Sequence, residues 1–558
     1  MKNSDTVDGV DGTPLVFPDI LKDKATILQA VRVFFDLYGK IPFFFFRRHE
    51  FYKDLENGKI EQPVSMAIVT VVARFMPTLF SKHEGNIEAS EYYAQITEKI
   101  LLFSNTPTLS NIQARLIFCF HLMGHGREYS SWLHLGTAIR MAQILRLQSI
   151  DGDEQVVSGL GWGVLNSRQS NSVIDDHSID LETKRRTFWC CFLLDRILSN
   201  GRDRPVSIPV ESIHTNFPCS ETEFLYPTGN HISRNFSFKT KSAGSLLGQL
   251  MLVIEIFGRI LAWQGLGGRM LDRVVPWDPS MPVSAMDSDL EEWHNNLPFH
   301  YKFTKENLFS QAQLSESRLW VVTMMFYFQA KCYLHREYYP FLPPPGFDPA
   351  NGPVDGPELV VLDTSDDVPL KAREFWKYSS VAALESAHNI SALFQYLVVN
   401  DDQPYCLPFL GICLQTADTI HSMYSHFTWP VCDGDHDKEK KLLMRDVVSM
   451  VKFEQFWPLA ALWLRAIRKY YAVTGVAARK DGDPSVWMNG FVKDQTMNFI
   501  REMNIEHHDD PVPEDLDIFT EISNHWGRLS ADIPDDDDKS LRINFAIQRS
   551  RASDQNDH

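Results

Sequence analysis

Arginines surround one aspartate in the stretch ETKRRTFWCCFLLDRILSNGRDRPVSI, Glu182 to Ile208. Arg185 and Arg186 precede an apolar run, Phe188 to Leu194. Asp195 and Arg196 follow it directly, and Arg202 and Arg204 sit in the loop beyond. A guanidinium fork matches the geometry of both phosphate and carboxylate. This grouping could therefore be an anion site, a nucleic-acid patch, a catalytic dyad or a fixed ion pair. The apolar run covers all faces of a helix, and a helix apolar all round is buried. Asp195 then needs a partner or hydrogen bonds, because a buried charge without them is costly. Arg202 and Arg204 are near enough in sequence to supply them, as is Arg140 from an earlier helix. A bidentate clamp would pin the loop against the bundle. Scaffolding is preferred to an anion site, since the helix leaves no solvent face for a ligand.

Other residue patterns point to no reaction. Neither Gly39-Lys40 nor Gly58-Lys59 is followed by Ser or Thr, so no phosphate-binding P-loop is present. GLGWG, Gly159 to Gly163, reads as a loop, and no G-x-S-x-G elbow occurs. His421 and His426 do not share a helix face as the histidines of a zinc HExxH motif do, and they read as ordinary residues of an aromatic-rich helix end. DGDHDKEK starts like a calcium loop, but Lys438 and Met444 stand where its glycine and bidentate glutamate belong. EHHDD, Glu506 to Asp510, lies in a tail where consecutive residues rarely converge on one ion. Cys406 and Cys413 have C-x6-C spacing without any C-x2-C in the chain, and are assigned to the core. No catalytic set, metal site or cofactor site is expected.

The elements that hold these residues read as helices. Ile27, Val31, Phe34, Phe35 and Tyr38 repeat on one face between Asp19 and Phe51, until Gly39 and Pro42 stop the pattern. Pro63–Phe75 is β-branched, yet its length exceeds a typical strand and favours a helix. Ala89–Phe103, Leu109–Gly124 with Ser110 as N-cap, and Ser130–Gln148 follow, joined by short turns as in a bundle. Asp180 is expected to cap the signature helix, and Asn200-Gly201 to end it. Further helices are read over Leu246–Trp263, Gln313–Tyr338, Ala372–Leu397, Leu407–Phe427 and Glu454–Val473. Pro340–Glu358 and Trp429–Lys440 read as loops. The class is all-α: a multi-helix bundle with long irregular loops. Residues 1–16 form a tail without structure, 17–475 one helical domain, and 476–558 an acidic, partly disordered region. Within that region Leu516, Ile518 and Phe519 interleave with acids, as in an activation segment; a plain solvated tail is the alternative.

Composition limits the function classes. The chain of 558 residues is 44% hydrophobic and 23% charged, with 37 Phe and 13 Trp to fill a core. Its net charge of −18 opposes DNA, which is bound mainly through Lys and Arg. Its longest basic cluster is Lys184-Arg185-Arg186. The opening residues resemble no secretory signal, and the most apolar helices carry charged or amide groups, so no membrane association is expected. The 8 Cys are scattered among apolar residues, which suits reduced thiols.

The signature stretch resembles the fungal-specific transcription factor domain, the middle homology region of the fungal binuclear zinc-cluster regulators. Glu182, Arg185, Arg186, Trp189, Phe192, Asp195, Arg196 and Ser199 match its pattern, and Gly201, Arg202, Arg204 and Pro205 match the following G-R-P element with an inserted pair. SSWLHLGTAIRMAQILRLQ resembles a second family helix through Trp132, Gly136, Ala138, Arg140 and Ala142, and YFQAKCYLHREYYP a third. The resemblance covers roughly Phe17 to Val473.

It implies a nuclear regulator of a dedicated gene set, such as a secondary-metabolite pathway, acting through the helical domain and the acidic tail. It implies transcription machinery or a DNA-binding protein as partner, with a homodimer and a small inducer within its scope. The family's zinc cluster is not found here, so DNA contact is expected only if an upstream cluster exists. A co-regulator acting through a partner is one alternative. A helical small-molecule binder or enzyme that reuses the fold is another, since fold does not fix function.

Overall fold

The computed structural model describes residues 6–8, 14–16, 19–151, 174–199, 204–226, 237–241, 243–311, 314, 316–338, 352–353, 368–427 and 436–478. Among these the chain is helical apart from one short antiparallel pair, β1 (Thr6–Asp8) with β2 (Pro14–Val16). That pair lies where the sequence predicts a structureless tail. The described residues form two compact units. The first holds the residues up to Asp195 together with Ser207–Gly248; the second holds Arg196–Val206 and the residues from Gln249 onward.

The first unit contains α1 (Lys24–Tyr38), α2 (Arg48–Glu56), α3 (Gln62–Val72), α4 (Pro77–Phe80), α5 (Asn86–Phe103), α6 (Leu109–Gly124), α7 (Glu128–Ile144), most of α8 (Ile174–Leu198) and α9 (Glu221–Leu225). Asp23 caps α1 by accepting from the Thr26 amide at 3.2 Å, which satisfies one of the helix's orphan donors. Its buried face carries Ile27, Val31, Phe34, Phe35 and Tyr38, the 3.6-residue stripe read from sequence. The Phe43 ring stacks on Phe34 with centroids 5.7 Å apart. Val64 to Val72 of α3 are all buried. Packing on every side lets a β-branched run stay helical against its local preference. The cap of α6 is Thr108, whose hydroxyl accepts from the Asn111 amide, and not Ser110. Helix α8 begins at Ile174, upstream of the cap expected at Asp180.

The second unit contains the end of α8, most of α10 (Leu246–Gly265), then α11 (Pro282–Asn296), α12 (Lys305–Gln311), α13 (Ser317–His335), α14 (Val368–Asn400), α15 (Pro408–His426), α16 (His436–Glu454) and α17 (Leu459–Ala478). Helix α10 is long and apolar enough to cross a membrane by length and composition. Most of its apolar residues are buried in the fold, and Arg259 pairs with Glu255 and Asp289. Helix α11 was not singled out from sequence; Pro282 opens it, and Val283, Met286, Leu290 and Trp293 form its buried stripe. Helix α16 starts at His436, inside the stretch predicted as a loop to Lys440. Helices α13, α14, α15, α16 and α17 pack in succession, α15 touching both α16 and α17. The α15–α17 approach is close because a Cβ at Gly411 would run into the Trp463 ring.

Candidate functional site

Helix α8 carries the signature residues, and most of their polar groups are consumed within the first unit. Arg186 is fully buried. Its Nε donates to Glu182 Oε1 at 3.0 Å. Its Nη1 donates to the Phe44 carbonyl at 3.0 Å and to Glu221 Oε2 at 2.8 Å. Its Nη2 donates to the carbonyls of Cys219 and Ser220 at 3.0 and 3.3 Å. A guanidinium has five N–H donors, and each has an acceptor here. The Phe224 ring centroid lies 3.9 Å from the guanidinium carbon, within cation–π range. Burial disfavours the Arg186 charge, but the carboxylates of Glu182 and Glu221 outweigh it and raise its pKa.

Arg185 extends the same network. Its Nε donates to Asp151 Oδ2 at 2.8 Å and its Nη2 to Asp151 Oδ1, a bidentate pair, while Nη1 reaches Glu182 Oε2 at 3.2 Å. Burial opposes its charge too, and Asp151 and Glu182 reverse that, so its pKa rises. The two carboxylates also accept backbone N–H groups from the returning segment: Asn216 onto Asp151 at 2.9 Å and Cys219 onto Glu182 at 3.0 Å. The Trp189 indole N–H donates to the Asn216 carbonyl at 2.7 Å. Thr215 Oγ donates to the Leu147 carbonyl at 2.7 Å. The result is a clasp. Segment 207–221 buries Ile208, Ile213 and Phe217, and α8 also holds it by charge and backbone hydrogen bonds.

Asp195 is fully buried, and its carboxylate accepts the N–H groups of Ser207 at 3.0 Å and Ile208 at 3.1 Å. These backbone donors were not foreseen from sequence. Arg140, offered there as a partner for Asp195, is exposed and donates to Gln143 Oε1 on its own helix. Arg140→Ala is therefore expected to change stability by no more than about 0.5 kcal/mol, read from a urea denaturation curve. A loss as large as that of a clasp residue would place Arg140 in the clasp after all. Arg196 and Arg204 are buried, and Pro205 is exposed. A Cβ at Gly258 would strike the Arg196 side chain, so glycine there makes room for it. Gly201 and Arg202 lie outside the described residues, as do Leu516, Ile518 and Phe519.

A second polar cluster lies in the other unit. Lys331 Nζ reaches Asp287 Oδ1 at 3.0 Å, Glu291 Oε1 at 2.7 Å and Tyr378 Oη at 3.1 Å. His335 Nε2 is 3.2 Å from the same Asp287 oxygen. Burial works against the Asp287 charge, but His335 and Lys331 hold its pKa well below the usual carboxylate range. This is a closed ion-pair network and offers no free ligand.

Two groups of metal-ligand type also converge among the described residues, and neither was recognised from sequence. In the first unit His121 and His125 of α6 and its cap approach Glu91 of α5. Arg74 Nη2 lies 2.7 Å from His121 Nδ1 and 3.0 Å from His125 Nε2, while Arg127 pairs with Glu91. Burial and the neighbouring cations push His121 and His125 far below the usual histidine range. Two guanidinium groups thus stand where a cation would have to enter. In the second unit Glu439 of α16 bridges His388 of α14 and His421 of α15. Its Oε1 is 2.8 Å from His388 Nε2, and its Oε2 is 2.8 Å from His421 Nδ1. Burial opposes the Glu439 charge, but the two imidazole hydrogen bonds prevail and hold it at about 2. The sequence signal was faint: each of the three helices places two polar residues on a buried face, His388 with Ser391, Asp418 with His421, and Glu439 with Asp446.

Residues 31–295, from α1 to the last turn of α11, match the family model for the fungal specific transcription factor domain. A transcriptional regulatory protein of Schizosaccharomyces pombe is 23% identical over 433 residues, which is 73% of this chain and 58% of the relative. The Zn(2)-C6 fungal-type transcription factor FTF2 of Fusarium oxysporum f. sp. lycopersici is 23% identical over 81% of this chain and 40% of its own length. FTF1c of the same fungus is 26% identical over 50% of this chain and 30% of its own length. The chain therefore spans less than two thirds of each of these relatives. The clasp on α8 lies inside residues 31–295, the part of the chain that is similar to the fungal specific transcription factor domain.

Proposed function

We propose that this chain is a transcription regulator acting in the nucleus through its helical domain and the acidic segment around Leu516, Ile518 and Phe519. The observation that carries the reading is the domain match over residues 31–295, with a signature helix whose Arg186 spends all five donors on its own fold. Arg186 has no donor left for a phosphate, so the clasp shapes a scaffold and the working surfaces lie elsewhere. The net charge of −18 favours DNA contact through a separate module or a partner protein over contact by the helical domain itself. The regulated genes form a dedicated set such as a biosynthetic pathway.

The test tethers the full chain to a heterologous DNA-binding module upstream of a reporter. Reporter output is expected to change, and replacing Leu516, Ile518 and Phe519 together by alanine is expected to abolish most of that change. An unaltered reporter with a well-expressed nuclear fusion sinks the proposal. Loss of output only with clasp variants would move the activity from the tail to the helical domain.

A further inference from the structure

The His388, His421 and Glu439 group has features that a closed ion-pair network does not need. The three ligand atoms come from three helices and lie within 4.8 Å of one another. Two His and one Glu with an open fourth position is a recurrent zinc donor set, with metal–ligand distances of about 2.0 to 2.2 Å. The present 2.8 Å separations between each Glu439 oxygen and its imidazole are hydrogen-bond distances, about 0.5 Å short of the ligand–ligand spacing of about 3.3 Å around such an ion. The cation would take the place of the shared protons, with each imidazole moving outward by about half an ångström.

The outer contacts are those of a metal-bound histidine. His421 Nε2 lies 3.1 Å from Ser391 Oγ, and Ser391 is hydrogen-bonded to Asp446. A metal-ligating imidazole usually directs its other nitrogen into such a partner, which fixes its tautomer and orientation. One turn before His421 stands Asp418, completely buried. Neither of its carboxylate oxygens has a hydrogen-bond partner among the described residues. An orphaned acid in a core is expensive, and a nearby divalent cation offsets that cost. The charged groups facing the cluster are Asp418, Asp446 and Arg445, the last being partly exposed and 3.4 Å from Asp446. The His121 group has the same residue types but two arginines bonded into it, which serves as an internal contrast. His388 is also 25% exposed while His421 and Glu439 are buried. That opening supplies an entry path and room for a water in the fourth position.

We propose that His388 Nε2, His421 Nδ1 and the Glu439 carboxylate bind one zinc-class divalent ion, which fastens α14, α15 and α16 together. The experiment uses the full chain, stripped with a chelator and titrated with Zn²⁺, with Co²⁺ as a spectroscopic probe. One equivalent is expected to bind, with the intense visible bands of four-coordinate cobalt. His388→Ala, at the exposed ligand, is expected to weaken binding at least about 100-fold and to remove the bands while the far-UV circular dichroism stays unchanged. Ser391→Ala, which removes the outer hydrogen bond, is expected to weaken it about 10-fold or more. His125→Ala is expected to leave binding unaltered. Absence of stoichiometric binding overturns the assignment. So does binding that survives His388→Ala, or binding abolished by His125→Ala.

Discussion

Replacing Arg186 by alanine lowers the stability of the first unit by about 3–5 kcal/mol, the range for removing one partner of a buried ion pair. The loss has several physical sources. Glu182 keeps its charge in the core but loses a guanidinium at 3.0 Å, and Glu221 loses one at 2.8 Å. The carbonyls of Phe44, Cys219 and Ser220 lose their donor, and an acceptor left unsatisfied in the interior costs about 1–3 kcal/mol. The ring of Phe224 loses the planar cation packed on it. Arg186→Lys rescues little, because an ammonium has three donors on a flexible stem and cannot reproduce the fork. Denaturation followed by fluorescence reads this directly, since Trp189 lies one turn along the helix and bonds to Asn216 of the clasped segment. A loss below about 1 kcal/mol would show that the clasp is not what holds residues 207–221 in place.

The same pair of residues shows how much of the molecule is legible in the sequence. Periodicity gave the helices because each buries a face, and burial leaves a 3.6-residue imprint on residue type. Pro63–Phe75 was read as a helix and is one as far as Val72, and Phe188 to Leu194 were read as a buried helix and are so. The charged residues of α8 were visible as important, yet their partners were not. For Asp195 the sequence offered arginines as partners and gave no sign of the amides of Ser207 and Ile208 that bond to it. Backbone donors leave no trace in residue type, so no pattern of side chains could have indicated them. The partners of Arg186 at Phe44, Cys219 and Glu221 are likewise fixed by tertiary packing. Helix α16 was missed altogether: its first residues were read as a loop, because Asp433, Gly434 and Asp435 mask the onset of its stripe. The His388, His421 and Glu439 group was missed for a related reason. Its members sit on three helices, one ligand each, and no local spacing encodes such a convergence.

Replacing Asp418 by asparagine makes stability less dependent on pH, and the sign follows from where Asp418 sits. Its carboxyl is fully buried, without a hydrogen-bond partner among the described residues, and close to the equally buried Asp446. Burial first, and the like charge of Asp446 second, push the Asp418 pKa well above the ordinary aspartate value. Asp446 is raised as well, by burial, against the pull of His421, Ser391 and Arg445. The folded pair therefore keeps a proton that the unfolded chain has released once the pH passes about 4. The folded state then binds more protons than the unfolded one, so stability falls as pH rises. The contribution is fully present below the unfolded carboxyl range and is lost progressively as pH climbs to the folded value. Over that window each pH unit costs about 1.4 kcal/mol for one retained proton. Asparagine is neutral throughout and removes the repulsion on Asp446, which can then ionise beside His421 and Arg445. Relative to Asp418→Asn, the native chain should thus lose about 1.4 kcal/mol for each unit between about pH 5 and the point where the pair ionises. Urea denaturation of both proteins across this range, with chelator present so that no metal ion shields the acids, gives the slope. Parallel stability profiles for the two proteins would mean that Asp418 is ionised in the folded state, with its charge answered by a group other than Asp446.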